Sequence, residues 1–211
     1  MPSTVYERRP TWEIVDLFPE QGNWSVQEYL ALETAKQVEF THGFLEFLPM
    51  PDELHFEVQN FIFAAVQAFL AARGRGVARY APFRVRVSET SFREPDVCVL
   101  LDENDPRRGR QYWAGADFVV EVVSPDNPER DYWKKRHDYA AAKIPEYWIV
   151  DPQARRFTLL RLSGGEYVAH AVLAPGQVAA SVTFDGLTVD VAACFTAGDR
   201  AAPNAEPRAS T

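Results

Sequence analysis

Two acidic residues stand inside apolar stretches of the chain and are the first candidates for chemistry. Asp96 follows Pro95 and opens the stretch DVCVLL, and Glu121 lies within the stretch DFVVEVVS. Charged side chains are rarely buried without a partner or a use. Each acid also has an ordinary structural role open to it. Asp96 could cap the edge of a strand, and Glu121 could be a core residue that is paired with an arginine or hydrogen bonded.

The two acids are more informative together than apart. If their stretches are neighbouring strands, Asp96 and Glu121 lie side by side, and their repulsion raises both pKa values unless a cation lies between them. Hard carboxylate oxygens suit Mg²⁺, and Mn²⁺ accepts the same ligands. Such an ion polarises a phosphoryl oxygen and lowers the pKa of a bound water. The pair therefore predicts a metal site that acts on a phosphodiester.

A positive group that stabilises charge on the substrate is expected from the next segment. The stretch DYWKKRHDYAAAK predicts a helix that carries Lys134 and Lys135. Asp131, Lys135 and Tyr139 are four residues apart and therefore share one face of this helix. One of the lysines would lean over the strand that carries Glu121, although a solvated helix face explains the same cluster.

The elements around these residues predict one layered domain. Residues 117–151 indicate strand, helix and strand, joined by a parallel crossover. Helical spacing of apolar residues predicts a long helix over residues 53–72. We expect an irregular arm over residues 1–23, a single domain over residues 24–196, and a disordered tail over residues 197–211, where large apolar residues are scarce.

Hairpins are predicted near both ends of the domain. The stretch VEFTHGFLEFLPMP indicates two short strands about a turn at His42 and Gly43. The stretch RRFTLLRLSGGEYVAHAVL indicates a hairpin that turns at Gly164 and Gly165. The fold class is therefore mixed α/β (α+β), with a mixed sheet flanked by helices and extra N-terminal and C-terminal hairpins.

The composition restricts the classes of protein that fit. The chain has 211 residues, a formal net charge of −8 and a pI of about 5.1, which gives no support to general affinity for nucleic acid. Cys98 and Cys194 form neither a zinc motif nor a disulfide framework, as expected of a cytoplasmic protein. The N-terminus has no apolar core of a signal peptide, and no apolar run approaches the ~20 residues that span a bilayer. We therefore expect no membrane association.

Several motifs together resemble one bacterial family. Pro95-Asp96, the stretch Glu121 to Pro125 and the stretch Pro145 to Asp151 are similar to motifs of the Uma-type restriction endonuclease family, formerly a domain of unknown function. This family belongs to the PD-(D/E)XK nuclease superfamily, and the resemblance covers residues 25–195. It also includes Glu39, Gly43, His55, Asp131, Lys135, Tyr139, the stretch Val182 to Leu187, and Cys194-Phe195.

The resemblance implies a restriction-endonuclease-like core in which Asp96 and Glu121 bind the metal. The superfamily usually carries a lysine two residues after the Glu, but Val123 occupies that position here. The family implies that this lysine has moved to the following helix, where Lys135 fits. The resemblance also implies that Glu39 and His55 line the same cleft.

The expected activity is that of a magnesium-dependent endonuclease that hydrolyses phosphodiester bonds in DNA. Arg130 and Lys134 are candidate phosphate contacts, as is the loop from Arg107 to Arg110, although a solvated basic surface would look the same. Aromatic residues in the N-terminal arm favour a homodimer. The acidic pI and the lack of a dedicated DNA-binding segment favour the alternative, a non-catalytic nucleic-acid or protein-binding module that retains the nuclease fold.

Overall fold

A six-stranded mixed sheet forms the centre of the protein in a computed structural model that describes residues 18–34 and 36–201. Across the sheet the strands are β11 (Glu166–Leu173), β10 (Arg156–Ser163), β9 (Glu146–Asp151), β8 (Phe118–Val122), β6 (Val97–Leu100) and β3 (Val77–Tyr80). Strands β8 and β9 run parallel, and the other neighbouring pairs are antiparallel. The parallel pair confirms the connection predicted for residues 117–151.

A second sheet packs beside the first and supplies one side of the candidate site. Across this sheet the strands are β2 (Phe44–Phe47), β1 (Val38–Thr41), β5 (Ser91–Arg93), β4 (Arg84–Ser88) and β7 (Tyr112–Trp113). Strands β12 (Val178–Ala180) and β13 (Thr188–Asp190) form a separate antiparallel pair. The predicted hairpins are confirmed as β1–β2 and β10–β11.

Capping residues define the start of one helix and both ends of another. The helices are α1 (Val26–Ala31), α2 (Glu53–Arg73), α3 (Lys135–Ala141) and α4 (Val191–Ala201). Asp52 caps α2 by accepting a 2.8 Å hydrogen bond from the backbone N–H of His55. Gly74 ends this helix in the left-handed conformation, with φ of 66°. Ser25 and Glu28 form a capping box at the start of α1.

Strand β8 is buried on both faces, and its alternation decides which way Glu121 points. Val120 and Val122 pack on the side of α2 and α4, in the larger apolar core. Val119 and Val123 pack on the opposite side, against Tyr139 of α3. Because successive side chains of a strand alternate between faces, Glu121 lies on the α3 side of β8.

The helix predicted over residues 131–142 differs from the observed one at its start. Residues Arg130–Lys134 form a π-helical turn, in which the backbone N–H of Lys135 bonds to the carbonyl of Arg130, and α3 follows from Lys135. A π-helical turn is wider than an α-helical turn and is often found at functional sites. The turn brings Asp131 and Lys135 into the protein interior, where both are buried.

The predicted disordered tail over residues 197–211 begins too early, because α4 continues to Ala201. Gly198 packs against α2 so closely that an added Cβ would lie 2.7 Å from Leu54 Cδ1. The small residues that suggested disorder instead allow two helices to approach each other. Residues 202–211 lie outside the described part of the chain, as do residues 1–17 of the predicted arm.

The part of the N-terminal arm that the structure describes contacts strand β2. Gln21 holds the end of the arm on β2 through hydrogen bonds with both backbone groups of Leu45, at 2.8 and 3.0 Å.

Among the described residues, α2 alone is long and apolar enough by composition to cross a membrane. Helices that pack in protein cores meet the same criterion, and α2 contributes Val58, Ile62 and Val66 to the core.

Candidate active site

Strand pairing brings Asp96 and Glu121 to the same level of the central sheet. Strands β6 and β8 are antiparallel neighbours, and Val97 pairs with Val120. The residues next along the two strands, Asp96 and Glu121, therefore lie opposite each other. Asp96 Oδ2 also accepts a 2.7 Å hydrogen bond from the backbone N–H of Val122, which fixes its carboxylate against β8.

Helix α2 holds Asp96 from the other side. His55 Nε2 lies 3.0 Å from Asp96 Oδ1, and Gln59 donates a 2.8 Å hydrogen bond to the backbone carbonyl of Asp96. Burial alone would raise the pKa of Asp96, but His55 and Lys135 outweigh it and hold the pKa below its ordinary value. Burial would likewise lower the pKa of His55, but Asp96 raises it above the ordinary value. Asp96 is therefore favoured in its ionised form.

Glu121 has partners on the helix that follows its strand. Its Oε2 lies 2.8 Å from Lys135 Nζ, and its Oε1 accepts a hydrogen bond from the Tyr139 hydroxyl. Burial raises the pKa of Glu121 to about 8, with Lys135 opposing the shift and Asp96 adding to it. The two facing acids thus differ, since burial raises the pKa of Glu121 while His55 and Lys135 lower that of Asp96. Environments that separate the pKa values of paired acids are common in catalytic sites.

The Lys135 ammonium lies among three buried carboxylates. Besides Glu121, Asp131 Oδ1 lies 3.2 Å and Glu39 Oε1 3.5 Å from Lys135 Nζ. Burial would lower the pKa of Lys135, but these acids outweigh it and hold the pKa above its ordinary value. Lys135 is therefore charged at neutral pH and is a donor of hydrogen bonds and positive charge, not a base.

Glu39 lies behind Lys135 and is anchored by Arg93 from β5. Arg93 Nη1 donates a 2.7 Å hydrogen bond to Glu39 Oε2, and Arg93 Nη2 donates one of 2.6 Å to Asp138 Oδ2. Burial opposes ionisation of Glu39, but Lys135 and Arg93 together hold its pKa below the ordinary value. The carboxylate of Glu39 is thus a fixed, paired charge that supports Lys135.

The acids open on a narrow cleft with about 20 Å³ of internal space, enough for a single ion or water molecule. Glu94 also reaches it, and burial raises the pKa of Glu94 to about 7. The charged and imidazole side chains that line the cleft are His55, Glu94, Asp96, Glu121, Arg130, Asp131 and Lys135.

This donor set fits a hard divalent cation. Asp96 and Glu121 supply carboxylate oxygens to the cleft, and the Asp131 carboxylate is buried with no hydrogen-bond partner for either oxygen. Mg²⁺ prefers such oxygen ligands. Over residues 18–34 and 36–201, however, no three His, Cys, Asp or Glu side chains already converge as a complete metal site. Lys135 is the counter-ion of the buried acids in this cluster.

The structure brings most of the site residues predicted from sequence together at the cleft. Asp96, Glu121, Lys135 and His55 meet at the cleft, and Glu39 contacts it through Lys135. Of the two predicted phosphate contacts, Arg130 is buried at the cleft, with Nη1 3.7 Å from Glu46 Oε1, and Lys134 is exposed outside it.

Sequence reasoning missed three charged residues. Arg93 and Glu94 immediately precede Pro95-Asp96, and two adjacent charges in a short buried strand were an available signal. Glu146 is fully buried and accepts hydrogen bonds from Trp148 Nε1, Ser181 Oγ and two backbone N–H groups of the following loop. Its partners in the loop lie 35–37 positions away in sequence, so no local pattern indicated that role.

Comparison with known proteins identifies the family of this chain. The family model Uma2, described as "Putative restriction endonuclease", matches residues 26–192. The chain belongs to this family, which confirms the resemblance seen in the sequence. No curated protein matches the chain.

A solved structure supports the same fold. It is a crystal structure described as "a putative nuclease belonging to DUF820 from Anabaena variabilis ATCC 29413". The match has a TM-score of 0.68 and 19% sequence identity, and covers 83% of this chain and 99% of that one. At this identity the similarity establishes the mixed α/β fold, and the chemistry depends on the residues of this chain.

Proposed function

We propose that the cleft is the active site of a metal-dependent endonuclease that hydrolyses phosphodiester bonds in DNA. One observation carries the proposal. Two buried acids on neighbouring strands, Asp96 and Glu121, share a cleft with a buried lysine ammonium, Lys135, 2.8 Å from one of them. Membership of a family of putative restriction endonucleases supports the same chemistry.

Asp96 and Glu121 are the proposed ligands of Mg²⁺, which Mn²⁺ can replace. When bound, the ion polarises a phosphoryl oxygen and lowers the pKa of a water molecule. Asp96 is suited to this role because it is already ionised beside His55. Glu121 is held by Tyr139 and Lys135, and its raised pKa means that a bound cation would favour its ionised form.

Lys135 is the proposed source of positive charge for the substrate. Its pKa is held above the ordinary value, chiefly by Glu121 against the effect of burial, so it remains protonated. A fixed ammonium in a buried site stabilises charge that develops on a phosphorane far better than it would in water. Its support by Glu39, and through it by Arg93, keeps the ammonium from moving with each substrate.

DNA binding by a chain of net charge −8 requires local basic groups. Lys134 is exposed one residue before Lys135, and Arg130 lines the cleft. We therefore expect Lys134 to contact a phosphate that flanks the bond to be cut. Substitution of Lys134 should lower the affinity for DNA and make that affinity less dependent on salt concentration. It should not abolish cleavage.

The test is cleavage of supercoiled plasmid with Mg²⁺ or Mn²⁺ by purified protein. Glu121→Gln, Asp96→Asn and Lys135→Met should each reduce the rate by at least about 100-fold, as the loss of one stabilising group does in other enzymes. Glu129→Gln removes an exposed charge from the same segment and is the matched control. Unchanged cleavage by Glu121→Gln would contradict the proposal.

The second candidate is a binding module that retains the fold without catalysis. The observation in its favour is that Glu121 already has a partner at each oxygen, so the cluster is balanced without a metal. Calorimetry with Mn²⁺ and with DNA separates the two candidates. DNA binding that is indifferent to Mn²⁺ and leads to no cleavage would favour the module.

A further inference from the structure

The carboxylate of Asp131 is the unusual group in the cleft. Asp131 is 1% exposed, yet neither of its oxygens has a hydrogen-bond partner. Lys135 Nζ at 3.2 Å and Arg130 Nε at 3.8 Å are near it without bonding to it. A buried carboxylate without hydrogen bonds is costly, and such groups in native proteins usually have a functional reason.

The other buried acids of the cluster are satisfied. Glu39 bonds to Arg93, Asp96 bonds to His55 and to a backbone N–H, and Glu121 bonds to Lys135. Asp131 therefore differs from its neighbours in having unused lone pairs on both oxygens. Because it also lines the cleft, those lone pairs are available to a group that enters there.

The position of Asp131 is fixed by the surrounding fold. The Tyr147 hydroxyl, buried on β9, donates a 2.7 Å hydrogen bond to the backbone carbonyl of Asp131. The π-helical turn Arg130–Lys134 sets the direction of its side chain. Strand β9 and the turn therefore hold at the cleft a buried carboxylate that has an ammonium nearby but no hydrogen bond.

We propose that Asp131 is a third acidic ligand of the divalent cation, supplied by the π-helical turn. This inference rests on the proposed metal site of Asp96 and Glu121. A hard cation is the group that best satisfies a buried carboxylate with no donor. The ammonium of Lys135 lies within 3.2 Å of both Glu121 and Asp131, which marks the place where these two acids attract positive charge.

A competing role for Asp131 is to hold Lys135 in place. Glu39 separates the two roles, because it is also a buried acid near Lys135, 3.5 Å from Nζ, but does not line the cleft. A general effect of negative charge, or of support for Lys135, would make Asp131 and Glu39 equivalent. A ligand role makes Asp131 the more important of the two.

The experiment is calorimetric titration of Mn²⁺ into the full chain without DNA. Asp131→Asn keeps the shape of the side chain, and Asp131→Ser serves if that variant does not fold, as judged by circular dichroism. Glu39→Gln is the matched buried control and Glu129→Gln the exposed one. We expect Asp131→Asn to weaken Mn²⁺ binding at least about tenfold, since residues that only orient metal ligands already contribute about 10–100-fold. Glu39→Gln should change it less than about threefold.

Three results would overturn the inference. Unchanged Mn²⁺ affinity in Asp131→Asn, with binding lost in Glu121→Gln, would remove Asp131 from the ligand set and leave the proposed function standing. Equal losses in Asp131→Asn and Glu39→Gln would assign the effect to charge alone. Failure of the unsubstituted protein to bind Mn²⁺ would overturn both the ligand role and the metal site on which it rests.

Discussion

Replacing Lys135 by methionine removes the ammonium from among Glu39, Glu121 and Asp131 while keeping the length of its side chain. The Lys135 side chain is 3% exposed and those of the acids are 0–2% exposed, so water cannot solvate the acids once the ammonium is removed. Removing one partner of a buried ion pair typically destabilises a protein by about 3–5 kcal/mol. We expect the lower end, about 3 kcal/mol, because Glu39 keeps Arg93 and Glu121 can retain a proton.

The stability should be measured by urea unfolding, followed by circular dichroism with chelator present. The loss in Lys135→Met should grow as the pH rises through 8, because loss of Lys135 raises the folded-state pKa of Glu121 above its value of about 8 in the unsubstituted protein. Lys134→Met, at an exposed neighbouring position, should change stability by less than about 0.5 kcal/mol. The double variant Lys135→Met/Glu121→Gln should be less destabilised than the sum of the two single variants, by about 1 kcal/mol or more. Additive effects, or a loss below about 1 kcal/mol in Lys135→Met, would refute the buried-cluster account.

Three further predictions concern the cation and the scaffold. Mn²⁺ affinity should increase from about pH 6 to about pH 8, with proton release detected by calorimetry, because Glu121 with a pKa of about 8 must ionise to bind; an affinity independent of pH would contradict this. Glu146→Ala should lower stability by more than about 2 kcal/mol in urea and leave Mn²⁺ affinity unchanged, since Glu146 bonds a distant loop. Gly43→Ala should cost about 1–3 kcal/mol in a thermal melt, because φ is 86° and the new Cβ would lie 2.3 Å from Gly22 O. Gly164→Ala, where nothing lies within 4 Å, should cost less.

The parts of the fold that depend on local pattern could be predicted from the sequence. Apolar spacing located α2, and Asp52 and Gly74 are the capping residues that such a helix needs. The continuous apolar stretches around Asp96 and Glu121 predicted buried strands, and the carboxylate argument depended on the condition that these strands pair, which they do.

The parts that depend on distant contacts could not be predicted. The role of Arg93 becomes visible only when β5 brings it to Glu39 and Asp138, at least 45 positions away in sequence. The π-helical turn leaves no signature in a stretch whose spacing also suits an α-helix. Asp131 was expected on the same face as Lys135, but its lack of hydrogen bonds is a property of the assembled cleft.

The central claim is that Asp96 and Glu121 hold one divalent cation in the cleft. The most direct measurement is an anomalous difference map from crystals grown with Mn²⁺, compared with the same crystals of Glu121→Gln. The account predicts a peak between the carboxylates of Asp96 and Glu121 that disappears in the variant. No peak at the cleft of the unsubstituted protein, or an undiminished peak in Glu121→Gln, would contradict it.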